Sequence, residues 1–419
     1  MQFALGKLLV ARNIIAALDV GTSTVQTVVA EHKRGEDLRI LGIGVTPSFG
    51  VRKGMVVDLD ETISSIRESV EEARRSAGVA VKSVWTAVGG SHISVSSSRG
   101  VVAVSRADGE ISPEDVRRAI TAAETFVAKN PNKEILHMIP RDFKVDHESG
   151  IKDPVGMHGI RLEADTLIIE CSASFLKNLF KCIEGAGLRV EDYVFGPLAA
   201  SEAVLSKRQK ELGVMLVDIG GGTASFLVFE EGVPLHAGVL PLGGNHITND
   251  IAIGLRTHVD VAERIKLTHG SCLPSDLPKK DNIRLADFVP NDPGAYSKRE
   301  LAEIVEARMG DVFELLQKEL KKISRDRLLP AGIVFVGGSS IMPGLAELAK
   351  REVKLPVEIG APELWENFDQ KVAPSLATVL GLLQWAENRN ENPAQTTWKG
   401  KVTSFGNHAL GKWLRSLLP

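Results

Sequence analysis

Two stretches of the chain, LDVGTSTVQTVVA from Leu18 and VDIGGGTASFLVF from Val217, share one pattern. Each runs through an apolar segment, an aspartate, a glycine-rich turn carrying threonine, and a second apolar segment. Such turns suit phosphate. Gly21 in the first, and Gly220, Gly221 and Gly222 in the second, let successive backbone N–H groups converge on an anion. The hydroxyls of Thr22, Ser23 and Thr223 add donors, and Asp19 and Asp218 stand at strand ends where Mg2+ could be held through its waters. A third glycine-rich turn, FVGGSSIMPGL from Phe335, offers Gly337, Gly338 and Ser339 between an apolar strand and a helix, where backbone can lie against a nucleobase. In VAERIK, from Val261, Glu263 and Lys266 share one helical face at i and i+3, as a grip on ribose hydroxyls or as a surface ion pair. The GxxxxGK[ST] and GxGxxG motifs are absent.

These residues need a scaffold. Short β-branched runs alternate with amphipathic stretches, which predicts an α/β protein of mixed sheets covered by helices. Strands are expected at Ile14 to Val20, Val25 to Ala30, Val84 to Val88, Thr166 to Cys171, Val214 to Asp218, Ser225 to Phe229 and Ile333 to Val336. Helices are expected at Thr62 to Ala77, Pro113 to Ala128 after a capping Ser112, Ser174 to Ala186, and Lys298 to Lys322. The paired hairpins predict two related lobes, since a solenoid would repeat every 20 to 50 residues or so.

Composition narrows the function classes. The 419 residues are 43% hydrophobic and 25% charged, which describes a globular chain long enough for several cores. Fifty Lys and Arg oppose 53 Asp and Glu, so no global basic field draws the chain to nucleic acid. Cys171, Cys182 and Cys272 are too scattered for a disulfide framework or a zinc motif, and the chain is expected to be cytosolic with reduced thiols. His137, His147 and His158 are spread apart, and His246, beside Asn245 in a glycine-rich turn, reads as a structural hydrogen-bonding group. Lys7, Arg12 and Asp19 interrupt the apolar start, no cleavage site follows it, and no apolar stretch approaches the roughly 20 residues of a spanning helix.

In order and spacing, LDVGTST, VDIGGGT, VGGSSIMPG and VAPSLATVLGLL, near Val372, resemble the phosphate-1, phosphate-2, adenosine and connect-2 elements of a superfamily. That superfamily joins actin, the seventy-kilodalton heat-shock chaperones and the sugar kinases. EILHMIPRDFKVDHESGIKDPVGMHGIRLEAD, from Glu134, and PLGGNHITNDIA, from Pro241, resemble the bacterial cell-division FtsA family. The resemblance implies an actin-like fold with ATP and Mg2+ between two lobes, and an insertion in the first lobe that helps form head-to-tail filaments. It divides the chain into first-lobe core at 10–83 and 165–198, insertion at 84–164, second-lobe core at 199–243 and 331–386, and a further subdomain at 244–330.

Two departures bear on hydrolysis. Ser225 takes the place of the second acid in the DxGGGTxD pattern of many relatives, and Gly196, in VFGPLAASEAVL, stands where related ATPases often carry Glu or Gln. ATP is therefore expected to act as a conformational and assembly ligand, with hydrolysis slow or absent and no catalytic residue assigned.

After a polar linker at 387–404, the tail FGNHALGKWLRSLLP sets Leu410, Trp413, Leu414, Leu417 and Leu418 on one helical face, with Lys412 and Arg415 opposite. That composition suits a helix lying in an anionic lipid interface; the alternative is a terminal helix docked on the protein itself. The resemblance further implies that the second lobe receives the C-terminal tail peptide of the tubulin-like division protein FtsZ, with Lys298, Arg299 and Arg308 as candidate contacts. The expected role is a peripheral protein on the inner face of the cytoplasmic membrane at the division site. It tethers the FtsZ ring there, polymerises and helps recruit other division proteins. The competing readings are an actin-like pilus-assembly protein and a metabolite kinase of the same superfamily.

Overall fold

The structure is a computed structural model and describes residues 13–391 apart from 34–35, 126–129, 291–292 and 363–370. The described residues form two compact units. The first holds those up to Ser96, Asn130–Lys133 and those from Cys171 on; the second holds those within Ser97–Lys129 and Glu134–Glu170.

The first unit begins with β1 (Asn13–Val20), β2 (Thr24–His32) and β3 (Arg39–Pro47), then a small hairpin of β4 (Val51–Arg52) and β5 (Met55–Val56), helix α1 (Leu59–Ala77) and β6 (Ser83–Val88). Asp58 caps α1, its carboxylate accepting from Glu61 N at 3.0 Å, and Gly78 ends the helix at φ +65°. The chain then enters the second unit through β7 (Ser94–Ala103), α2 (Pro113–Thr125), β8 (Lys133–Val145), β9 (Glu148–Ile151) and β10 (Arg161–Ser172). These strands form a sheet in the order β7-β10-β8-β9, over a core of Ile111, Val116, Phe143 and Leu162. The expected cap of α2 is present: Ser112 Oγ accepts from Asp115 N at 3.2 Å and Asp115 Oδ2 accepts from Ser112 N at 2.9 Å.

Back in the first unit come α3 (Ala173–Gly185), β11 (Arg189–Phe195), α4 (Gly196–Val204), α5 (Lys207–Leu212), β12 (Val214–Ile219), β13 (Ala224–Glu230) and β14 (Val233–Leu240). There follow α6 (Gly244–Gly254), α7 (Val259–His269), a hairpin of β15 (Asn282–Arg284) and β16 (Ala295–Ser297), and the long α8 (Lys298–Lys322). The chain continues through β17 (Ile333–Val336), α9 (Leu345–Val353), β18 (Val357–Ile359) and α10 (Ala377–Glu391). Two five-stranded sheets result, ordered β11-β6-β1-β2-β3 and β14-β13-β12-β17-β18.

In both sheets the hairpin strand pairs antiparallel with its successor and parallel with a later strand, β1 with β2 and β6, β12 with β13 and β17. The predicted duplication is thus a repeated topology. Leu18, Val25, Ile66 and Val84 anchor the first core; Val217, Phe226, Phe313 and Phe335 anchor the second.

Three sequence boundaries move. Residues 84–88 belong to β6, which pairs parallel with β11 and β1 in the first sheet, so the insertion begins later than residue 84. Residues 166–172 complete β10 of the inserted sheet, so that excursion ends later than 164. At the other end, 387–391 are the last turns of α10 and not linker: Arg389 pairs with buried Asp192, and Glu387 lies 4.0 Å from His32. Charged residues without apolar period extend a helix here because ion pairs hold it. The predicted helix at 405–419, with Leu410, Lys412, Trp413, Leu414, Arg415, Leu417 and Leu418, lies outside the described residues, as does the rest of the linker. No helix among the described residues is long and apolar enough to cross a membrane.

Candidate functional site

The two glycine-rich turns close with the same bond. Gly21 N donates to Thr24 O at 3.0 Å, and Gly220 N donates to Thr223 O at 2.9 Å. Each turn is held at the end of a central strand, β1 or β12, by the hairpin pairing on one side and a parallel neighbour on the other. The turns face each other at contact distance. A Cβ on Gly221 would stand 1.9 Å from Ser23 Oγ, and one on Gly222 would stand 2.7 Å from Thr22 Oγ1. Glycine is needed there for close approach.

Neighbouring segments fix the turns. Thr22 Oγ1 accepts from Gly54 N at 2.9 Å, tying the first turn to the β4–β5 hairpin. Ser23 Oγ donates to Asn245 Oδ1 at 3.2 Å, while Asn245 N and Gly244 N donate to Gly221 O and Gly220 O at 2.8 and 3.0 Å. His246 Nδ1 accepts from Gly243 N at 3.1 Å, the structural hydrogen bond expected of it. The third turn closes the group: Ser339 N donates to Ile219 O at 3.0 Å and Ser339 Oγ to Gly220 O at 3.2 Å. Gly337 takes φ +90°, and a Cβ there would meet Asp218 Oδ1 at 2.2 Å. A Cβ on Gly338 would meet nothing within 4 Å.

These turns line a cavity of about 1290 Å³, together with Asp19, Asp218, Gly337 to Ser339, Glu263 and Lys266. Burial, and then the nearby charge of Asp218, push the Asp19 carboxyl up to about 7. Burial also raises Asp218, opposed by the hydroxyl of Thr378, which donates to its Oδ2 at 2.9 Å. Two carboxylates that resist ionisation side by side form a place for positive charge. Among the described residues no group of three or more His, Cys, Asp or Glu gathers to hold a metal.

Glu263 and Lys266 share a face of α7 as predicted, but their roles separate. Lys266 is 7% exposed, and its ammonium faces Gly244 O at 3.2 Å, Thr248 Oγ1 at 2.8 Å and Glu263 Oε2 at 2.7 Å. Its three protons are engaged in joining α6 to α7, which leaves Glu263 Oε1 as the polar atom of the pair for a ligand.

The three candidate peptide-binding bases on α8 are also engaged. Lys298 meets Asp281 at 2.9 Å, Arg299 meets Glu303 at 3.4 Å, and Arg308 forks onto Asp250 at 2.6 and 2.9 Å and reaches Asp311 at 3.0 Å. Arg308 in particular is a strut between α6 and α8.

The sequence did not point to Gln26, Thr378, Asn245 or the β4–β5 hairpin as parts of the cleft. Gln26 was readable in principle, because hairpin register sets it opposite Asp19 as it sets Ser225 opposite Asp218. Thr378 lies in the connect-2-like segment VAPSLATVLGLL, but its bond to Asp218 comes from tertiary packing of α10, which the segment's own pattern does not give.

Comparison with known proteins agrees with this architecture. A family model described as cell division protein FtsA matches residues 215–381, and one described as the SHS2 domain inserted in FTSA matches residues 90–170. Cell division protein FtsA of Pseudomonas aeruginosa is 38% identical over 93% of each chain, that of Bacillus subtilis 38% over 89% of this chain and 83% of its own, and that of Escherichia coli 33% over 96% and 98%. Among solved structures, the PilM-PilN type IV pilus biogenesis complex aligns with TM-score 0.63 at 19% identity, covering 88% of this chain and 98% of that one. MreB5 of Spiroplasma citri bound to ADP aligns with TM-score 0.53 at 12% identity, covering 91% and 98%. These two likenesses fix the fold as actin-like and carry nothing about the pilus. The inserted family domain, the actin-like frame around paired glycine-rich turns, and relatives matched over nearly the whole chain together make this chain a member of the cell-division FtsA family.

Proposed function

We propose that the chain binds ATP with Mg2+ between its paired turns, uses the nucleotide to favour assembly into filaments, and fastens the FtsZ ring to the cytoplasmic membrane. The observation that carries the reading is the meeting of two identically closed glycine turns, each preceded by a carboxyl raised above its ordinary value, across a single cavity. With Gly21 N and Gly220 N closing the turns, the backbone donors at Thr22 and Ser23 and at Gly221 to Thr223 would hold the phosphates. Glu263 Oε1 would take a ribose hydroxyl, and the open face of Gly338 would lie under the base. Mg2+ held by Asp19 and Asp218 through its waters would supply the positive charge that phosphates and carboxylates both need.

Hydrolysis requires a held water and stabilised charge. Ser225 faces Asp218 where many relatives carry a second acid, and Gly196 contributes no side chain to the cavity it lines, so turnover is slow. The tail from 405 would lie in anionic lipid through Trp413 and its leucines, weakly per copy and strongly when a filament links many copies. The FtsZ tail peptide would dock on the second lobe. Because Lys298, Arg299 and Arg308 already have acidic partners, they would steer an acidic peptide only by exchanging those partners.

Gly338→Val tests the cleft. Its Cβ has free space, so the variant folds, while its branches fill the place of the base. ATP binding to the folded variant is expected to fall at least about tenfold; unchanged binding would move the base elsewhere. Electron microscopy on anionic lipid monolayers tests the rest: filaments are expected with ATP and few without, and filaments indifferent to both ATP and lipid would refute the assembly role.

A further inference from the structure

Of the buried side-chain polar atoms without a partner among the described residues, one belongs to the cavity wall: Gln26 Oε1. Gln26 sits on β2 directly opposite Asp19, and cross-strand partners project to the same face of a sheet, so its carboxamide and the Asp19 carboxyl share one side of the cleft. The residue is 6% exposed. Its Nε2 donates to Ser375 O at 3.1 Å, with Thr24 Oγ1 a further 3.4 Å contact. A backbone carbonyl only accepts, so this bond fixes which end of the amide is nitrogen and leaves the oxygen as the open acceptor. A buried acceptor without a donor is costly, and one that faces a cleft calls for a donor from whatever occupies the cleft.

The chemistry of that ligand follows from what Oε1 can and cannot take. A phosphate oxygen brings no proton and would be repelled. Beside Asp19, a partner that carries both O–H donors and positive charge is favoured, and water bound to a divalent cation has both. We propose that Gln26 Oε1 accepts a hydrogen bond from a water ligand of the divalent cation that accompanies nucleotide, making Gln26 a positioning residue for the hydrated ion. The assignment rests on the nucleotide reading of the cleft and adds to it a cation-specific role for an uncharged residue. The same oxygen would also accept from an ordinary buried water, and dependence on the cation separates the two.

The test compares full-length wild type, Gln26→Met and Gln26→Glu. ATP affinity is measured by calorimetry in excess EDTA and again at saturating Mg2+. Both variants lose the bond to Ser375, but only Met also loses the acceptor. Gln26→Met is expected to bind ATP in EDTA within about twofold of wild type and to lose about five- to tenfold of the gain that Mg2+ provides; Gln26→Glu is expected to keep or exceed that gain. Equal Mg2+ gains in wild type and Gln26→Met overturn the assignment, as do equal losses in Met and Glu, which would trace the effect to Ser375. Wild type that binds ATP in neither condition removes the cleft reading and this role with it. A measurement free of variant folding is available in wild type labelled at glutamine side-chain nitrogen. The Gln26 amide resonance is expected to move when Mg2+ joins the nucleotide complex, and no movement overturns the proposal.

Discussion

Asp19 and Asp218 show what burying two carboxyls in the cleft costs the fold. A carboxyl raised in the folded state binds a proton there that the unfolded chain releases, so its contribution to stability falls as pH rises from about 4 to about 7 and then levels. Nucleotide-free protein is therefore expected to melt higher at pH 5.5 than at pH 7.5 from this pair, in contrast to the ordinary behaviour of ion-paired acids. Asp218→Asn, which can still accept from Thr378, is expected to raise the midpoint at pH 7.5 and to reduce the pH difference; an unchanged pH profile would mean the pair ionises freely. Gly196 supports a second expectation at this scale. A Cβ there would meet only Thr378 Cγ2, at 3.7 Å, so a glutamine has room to face the cavity. If the missing side chain limits turnover, Gly196→Gln raises phosphate release from ATP by about tenfold or more; no rise would place the limit elsewhere.

At the scale of elements, α4 and α10 carry the arrangement. Each leaves one sheet and packs across toward the other lobe, and they cross so closely that a Cβ on Gly381 would stand 1.9 Å from Ala199 O. The obstacle is backbone and cannot swing aside. Gly381→Leu is expected to destabilise the protein by upward of about 3 kcal/mol, the upper range for overpacking, read as a lowered denaturation midpoint. The elements themselves were legible: the strands around Leu18 and Val217, the helix Lys298–Lys322 and the Ser112 cap all follow from period and capping residues. Contacts made at a distance were not. Val84 to Val88 reads as a strand but nothing local says which sheet it joins, and 387–391 reads as linker because Asp192 and His32, its ion-pair partners, are remote in sequence. Lys266 was visible as half of an i, i+3 pair, whereas the Gly244 carbonyl that engages it comes from another helix.

For the whole molecule, the family places this chain in cell division, and the proposed function would join a nucleotide cleft to a tail that lies in lipid. A single short amphipathic helix folds only as it meets lipid and binds weakly. On the proposed reading, membrane residence would then depend on how many tails a filament presents. Trp413→Glu is expected to leave ATP affinity and thermal stability unchanged while abolishing flotation with anionic liposomes; flotation equal to wild type would contradict a tail anchor.

The central claim is that one nucleotide engages both glycine-rich turns together. Hydrogen exchange of the full chain, with and without ATP and Mg2+, addresses it directly at the amides of Thr22 and Ser23 and of Gly221 to Thr223. The account predicts slower exchange in both turns on adding nucleotide, to a similar extent. Saturating ATP that protects neither turn, or one alone, would contradict it.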